Sequence, residues 1–127
     1  MAFKLEREKT TTTPYVLIDE AKGYMKFEGK SYLEEVIEFY SEINEWLNKY
    51  FSSGNVDLTF DCAMKYFNSS TTKIIYNMLR KMDKAAENGA KVVINWIVSE
   101  TNESMIECGE DFEEELENLV FNMVVED

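Results

Sequence analysis

A chain of 127 residues has the length of one domain, and 45% apolar with 13% aromatic residues is enough to build a core rather than a disordered tract. A fold of that size buries about 65–70% of the unfolded surface, so it needs neither a disulfide nor a metal to hold it. Thirteen Lys and Arg against 25 Asp and Glu leave a net charge of −12, which repels phosphate backbones and anionic lipid and argues against nucleic acid and membrane surfaces as partners.

Residues 1–13 are charged and then threonine-rich, and read as a flexible N-terminal arm ahead of a single domain over 14–127. Pro14, the only proline, stands where a strand begins and its missing N–H is tolerated. Tyr15–Asp19 and Tyr24–Glu28 flank an Ala21-Lys22-Gly23 turn and form a hairpin. Ser31-Tyr32-Leu33-Glu34 fits a capping box, in which Ser31 and Glu34 satisfy each other's N–H groups. Tyr32, Val36, Phe39, Tyr40, Ile43, Trp46, Leu47 and Tyr50 then recur at helical spacing until Ser53-Gly54-Asn55.

Strict alternation follows, with Val56, Leu58, Phe60, Cys62, Met64 and Tyr66 on one side of a strand. The run Tyr66-Phe67-Asn68-Ser69-Ser70-Thr71-Thr72-Lys73 comes next. A second helix carries Ile74, Ile75, Met78, Leu79, Met82, Ala85 and Ala86 on its apolar side and ends at Gly89. Lys91–Val98 is a nearly continuous apolar run, as in a central strand. An acidic helix over 102–117, with Met105, Gly109, Phe112 and Leu116 on one face, leads to a last strand over Phe121–Val125. The order β-β-α-β-α-β-α-β predicts an α/β domain: a mixed sheet of about five strands with about three helices, including parallel pairs.

The hydroxyl run carries the functional signal, because it falls where a strand ends and a helix begins. A helix N-terminus has unpaired N–H groups and a positive partial charge, so it can hold an added phosphate. The run reads as a phosphorylation switch with Ser69 as acceptor and Ser70 and Thr71 as alternates. Asn68 can cap the helix and leave Ser69 free, and Lys73 can neutralise a phosphate. The plainer reading is a helix cap alone, worth ~1 kcal/mol, and the two are compatible.

Four stretches resemble the SiaC family of bacterial regulatory phosphoproteins, a STAS-like group related in fold to anti-sigma-factor antagonists. Thr13-Pro14-Tyr15-Val16-Leu17-Ile18-Asp19 is similar to its opening strand. Gly29-Lys30-Ser31-Tyr32-Leu33-Glu34-Glu35, with Ile37-Glu38-Phe39-Tyr40 and Glu45-Trp46-Leu47, resembles its G-x-S-Y-P-E-N stretch and first helix. Tyr66 to Lys73 resembles its Y-F-N-T-S-S-x-K run, and Asn95-Trp96 with Gly109-Glu110-Asp111-Phe112 its fourth strand and G-E-D-[YF] step. Leu33 stands where the family often has proline, and Ser69 where its best-known members carry threonine.

The resemblance implies a STAS-like fold and a messenger rather than an enzyme. It implies a partner kinase with a histidine-kinase-like ATP-binding fold, a metal-dependent Ser/Thr phosphatase and a diguanylate cyclase bound and activated by the unmodified form. Asn68, Ser69, Ser70, Thr72 and Lys73 are then the partner-binding residues. The alternative is a small-ligand or scaffold module on the same fold.

No cofactor or metal site is expected. The chain has no histidine, hence no usual general base and none of the commonest metal ligand, and no G-x-S-x-G elbow. Cys62 and Cys108 have no CxxC pairing, and Cys62 reads as a reduced core thiol. With neither a signal-like N-terminus nor a long apolar stretch, the expectation is a soluble, cytoplasmic protein. Glu110, Asp111, Glu113, Glu114, Glu115 and Glu117 read first as a solvated helix face and second as a docking surface for a basic partner.

Overall fold

The computed structural model describes residues 2–32, 36–54 and 56–126. Strand β1 (Lys4–Arg7) pairs antiparallel with β2 (Tyr15–Asp19), which pairs antiparallel with β3 (Tyr24–Ser31). The β2–β3 turn passes through a 3-10 turn, Glu20–Lys22, into Gly23 at φ 58, a left-handed position. A Cβ at Gly23 would also run into the Asp57 carbonyl. Three crossovers follow through α1 (Val36–Ser52), α2 (Ser69–Glu87) and α3 (Glu103–Glu115), and they place β4 (Asp57–Phe67), β5 (Lys91–Ser99) and β6 (Val120–Glu126) parallel to β3. The six strands lie in the order β1-β2-β3-β4-β5-β6. Each crossover adds its strand on the same side of the last. Crossovers of one hand moving in one direction leave all their helices on one face of the sheet.

That face holds the core. Ile18, Met25, Phe60 and Ile94 share one register row, and Val16, Phe27, Cys62 and Trp96 the next; all eight are buried. Val36, Tyr40, Ile43, Trp46 and Leu47 of α1 and Ile75, Met78, Leu79 and Met82 of α2 close over them. Trp96 joins the far side of the core: its indole N–H donates to the Met105 carbonyl at 2.9 Å, and its ring meets Phe67, Phe112 and Phe121. A Cβ on Gly109 would collide with that indole, so the Asn95-Trp96 and Gly109-Glu110-Asp111-Phe112 stretches are one packing unit. Burial pushes the Cys62 thiol up, and it stays a neutral core group.

Two expectations are corrected. The sequence counted about five strands and read residues 1–13 as a mobile or edge arm, and Lys4–Arg7 of that arm form an edge strand, the sixth. Arg7 fixes it to α1 by donating to the Phe39 carbonyl at 2.9 Å and pairing with Glu42 at 2.6 Å. Of the expected capping box, Ser31 ends β3 fully buried, with its hydroxyl bonded to Thr71 and Tyr40, while Glu34, like Leu33, lies outside the described residues. Alternation along β4 breaks at its end. Gly29 pairs with Met64 but Lys30 with Tyr66, so Lys65 is an extra residue. This bulge turns Phe67 into the core and Tyr66 out to solvent, the reverse of the strict pattern.

Candidate functional site

The bulge in β4 delivers the hydroxyl run to the surface at the N-terminus of α2. Asn68 is the N-cap, with extended backbone (φ −75, ψ 174), and its Oδ1 accepts the Thr71 N–H at 3.0 Å. Its carbonyl accepts the Thr72 N–H at 2.9 Å and the Thr72 hydroxyl at 3.0 Å. Its own N–H donates to the Ser31 carbonyl at 3.2 Å, which ties the cap to the end of β3.

The four hydroxyls, of which the sequence reading took Ser69 as acceptor and Ser70 and Thr71 as alternates, have different surroundings in the fold. Ser69 and Ser70 are exposed, and neither has a hydrogen-bond partner among the described residues. Thr72 is half-buried and spent on the Asn68 carbonyl. Thr71 is fully buried and shares a 2.9 Å hydrogen bond with the Ser31 hydroxyl, which accepts a second from the Tyr40 phenol at 3.1 Å. Burial pushes that phenol up to about 12, so it stays protonated and remains a donor. The alternate Thr71 is therefore an inward anchor joining β3, α1 and α2, and it is out of reach of a modifying enzyme unless the helix start opens.

The electrostatics of this helix start suit an added anion. In a chain with 25 carboxylates, the first turn of α2 holds none. Its cap is a neutral Asn, so the positive end of the helix dipole is not offset. Lys73 is exposed, four residues beyond Ser69 and three beyond Ser70, hence on the same helix face. The structure thus brings Asn68, Ser69, Ser70, Thr72 and Lys73 together.

Beside the hydroxyls, α1 and α2 leave an open groove of about 810 Å³ lined by Val36, Ile37, Ser41, Ser70, Lys73 and Ile74. Ile37 is 74% exposed. Tyr32 and Tyr66, 44% and 41% exposed, stack at 4.8 Å next to the cap. Sequence reasoning put both tyrosines on apolar faces and read Ile37 only as part of the family-like first helix. A legible signal existed for Ile37, an apolar residue off the Val36, Tyr40, Ile43, Leu47 stripe; Tyr66 faces out only because of the bulge. Another groove, of about 680 Å³, lies at the far end of the same helix pair near Phe51 and Ala90, away from the hydroxyls. Among the described residues no cluster of His, Cys, Asp and Glu is placed to hold a metal, and no helix is long and apolar enough to cross a membrane.

Comparisons with known proteins agree with this architecture. SiaC of Pseudomonas aeruginosa superposes with a TM-score of 0.90 at 23% identity, over 98% of this chain and 99% of that one. A chain in the crystal structure of the diguanylate cyclase SiaD in complex with its activator SiaC, also from Pseudomonas aeruginosa, matches at a TM-score of 0.90 and 25% identity, over 96% and 99%. An uncharacterized protein of Pseudomonas aeruginosa is 27% identical over 106 residues, 84% of either chain. The model of the SiaC family of regulatory phosphoproteins matches residues 7–126, nearly the whole domain, and the chain belongs to that family.

Proposed function

We propose that this protein is a phosphorylation-switched adaptor whose acceptor is Ser69. The observation that carries the reading is the split among the hydroxyls. Ser69 stands exposed and unbonded on a carboxylate-free helix start, while Thr71 is locked inside. The unmodified surface around Ser69 and Ser70, with Lys73, Ile37 and the Tyr32–Tyr66 pair, binds a protein partner. By analogy with the complex of SiaD and its activator SiaC, that partner is a diguanylate cyclase, which the unmodified form activates.

A kinase with a histidine-kinase-like ATP-binding fold adds the phosphate, and a metal-dependent Ser/Thr phosphatase removes it. The protein itself catalyses nothing and acts in the cytoplasm. The phosphate brings about −1.5 to −2 charges and three acceptor oxygens. On this helix start it leaves the fold intact, and it opposes any interface that must cover it.

The test is intact-mass spectrometry with site mapping after incubation with such a kinase and ATP. One added phosphate on Ser69, absent from Ser69→Ala, is the expected result. Equal phosphorylation of Ser69→Ala removes the site assignment. A phosphorylated protein that binds the cyclase as tightly as the unmodified form removes the switch.

A further inference from the structure

The net charge of this chain is concentrated at one margin of the sheet. Residues 92–127 hold eleven Asp and Glu and no Lys or Arg, so this segment alone carries −11 of the chain's −12. It comprises nearly all of β5, then α3 and β6. Glu107, Glu110, Asp111, Glu114 and Glu117 on and just after α3 are exposed, and among the described residues none is in a salt bridge.

The strand at this margin is an open edge. Among the described residues β6 pairs only with β5. The opposite edge, β1, is four residues long, of sequence Lys-Leu-Glu-Arg, and so is blunted by length and charge. β6 has seven residues, Val-Phe-Asn-Met-Val-Val-Glu, with no proline, no lysine and no register shift against β5. Val120 and Val125 at its two ends are 53% and 54% exposed. The Glu126 carbonyl faces β5, where it accepts the Glu100 N–H at 2.8 Å. Strand period two then aims the N–H and C=O groups of Phe121, Met123 and Val125 away from the sheet.

We propose that β6 is a docking edge for an extended, basic segment of a protein partner. Such a segment adds as a seventh strand, with Lys or Arg alternating with aliphatic residues. Outward N–H and C=O groups supply the pairing, the exposed valines supply apolar contact, and the acidic margin selects a basic strand. The same charge disfavours a second copy of this chain, because joining two β6 edges would bring two strongly acidic segments together. This edge does not depend on the state of Ser69.

The test uses the full protein and a short synthetic peptide alternating valine with lysine, against a control alternating valine with glutamate. Amide hydrogen exchange followed by NMR at low salt should show new protection at Phe121, Met123 and Val125 with the lysine peptide only, and Ser69→Ala should respond in the same way. Val125→Pro deletes an outward N–H while sparing the β5 ladder, so it should keep its melting temperature and bind the peptide roughly tenfold more weakly or worse. Binding without protection on β6, equal binding by the glutamate peptide, or no binding at low salt overturns the proposal. So does finding those amides already protected in a peptide-free dimer. If Val125→Pro fails to fold, the protection pattern of the unmodified chain still decides.

Discussion

Phosphorylation of Ser69 should separate stability from binding, and the structure sets the size of both effects. Ser69 opens α2 with an exposed, unbonded hydroxyl and no carboxylate in the first turn. An anion there gains about 0.3–1 kcal/mol from the helix terminus. For a domain of this size that is a rise of roughly 1–4 °C in melting temperature. Covering the same phosphate in an interface leaves a largely unpaired charge, since Lys73 is the one cation in the site's immediate helical turn. A penalty of about 3 kcal/mol corresponds to a loss of affinity of about two orders of magnitude. Calorimetric melting of the purified phosphoprotein, and titration against the partner cyclase, read the two effects separately. A melting temperature several degrees lower, or undiminished affinity, would refute the reasoning. Modification mapped to Thr71 would refute it too, because that hydroxyl is fully buried in the Ser31–Tyr40 network.

Other substitutions test the supports of the site. Thr71→Val keeps the shape but deprives Ser31 of one of its two hydroxyl partners; it should cost about 1–2 kcal/mol in urea unfolding while leaving Ser69 phosphorylation intact. Gly109→Ala should cost about 1–3 kcal/mol, read as a lower melting temperature, because its methyl group meets the Trp96 indole rather than a yielding side-chain tip. Ile37→Glu should leave stability within about 0.5 kcal/mol and weaken partner binding, since Ile37 is exposed on the groove beside Ser70. Burial pushes the Asp83 carboxyl up, but hydrogen bonds from the Asn118 and Leu119 N–H groups and the Asn118 amide outweigh it and hold the group below its ordinary value. Its stabilising contribution is therefore full above the ordinary carboxylate range and is lost as pH falls through the depressed value. Asp83→Asn should flatten that part of the stability–pH curve in equilibrium unfolding.

Much of the architecture was legible because it rests on local periodicity. Leu58, Phe60, Cys62 and Met64 alternate as a half-buried strand must, and Met105, Gly109, Phe112 and Leu116 follow a helical stripe; all eight are buried. The sixth strand was not legible. Lys-Leu-Glu-Arg has no apolar alternation, and β1 is held by pairing with β2 and by Arg7 reaching α1, contacts formed only by the folded chain. The partners of the Ser31 hydroxyl were not legible for a related reason: Thr71 and Tyr40 are 40 and 9 residues away.

The amino-acid sequence by itself determined the order of elements, the junction of hydroxyls with a helix start, and the family. Each of these is written in neighbouring residues. Tertiary structure alone decided which hydroxyl is available. The Lys65 bulge sets the phase at the end of β4, and that phase sends Tyr66 out, Phe67 in and Thr71 against Ser31. Four adjacent hydroxyls are chemically alike in a string; they differ only once packing has given each its own access to water.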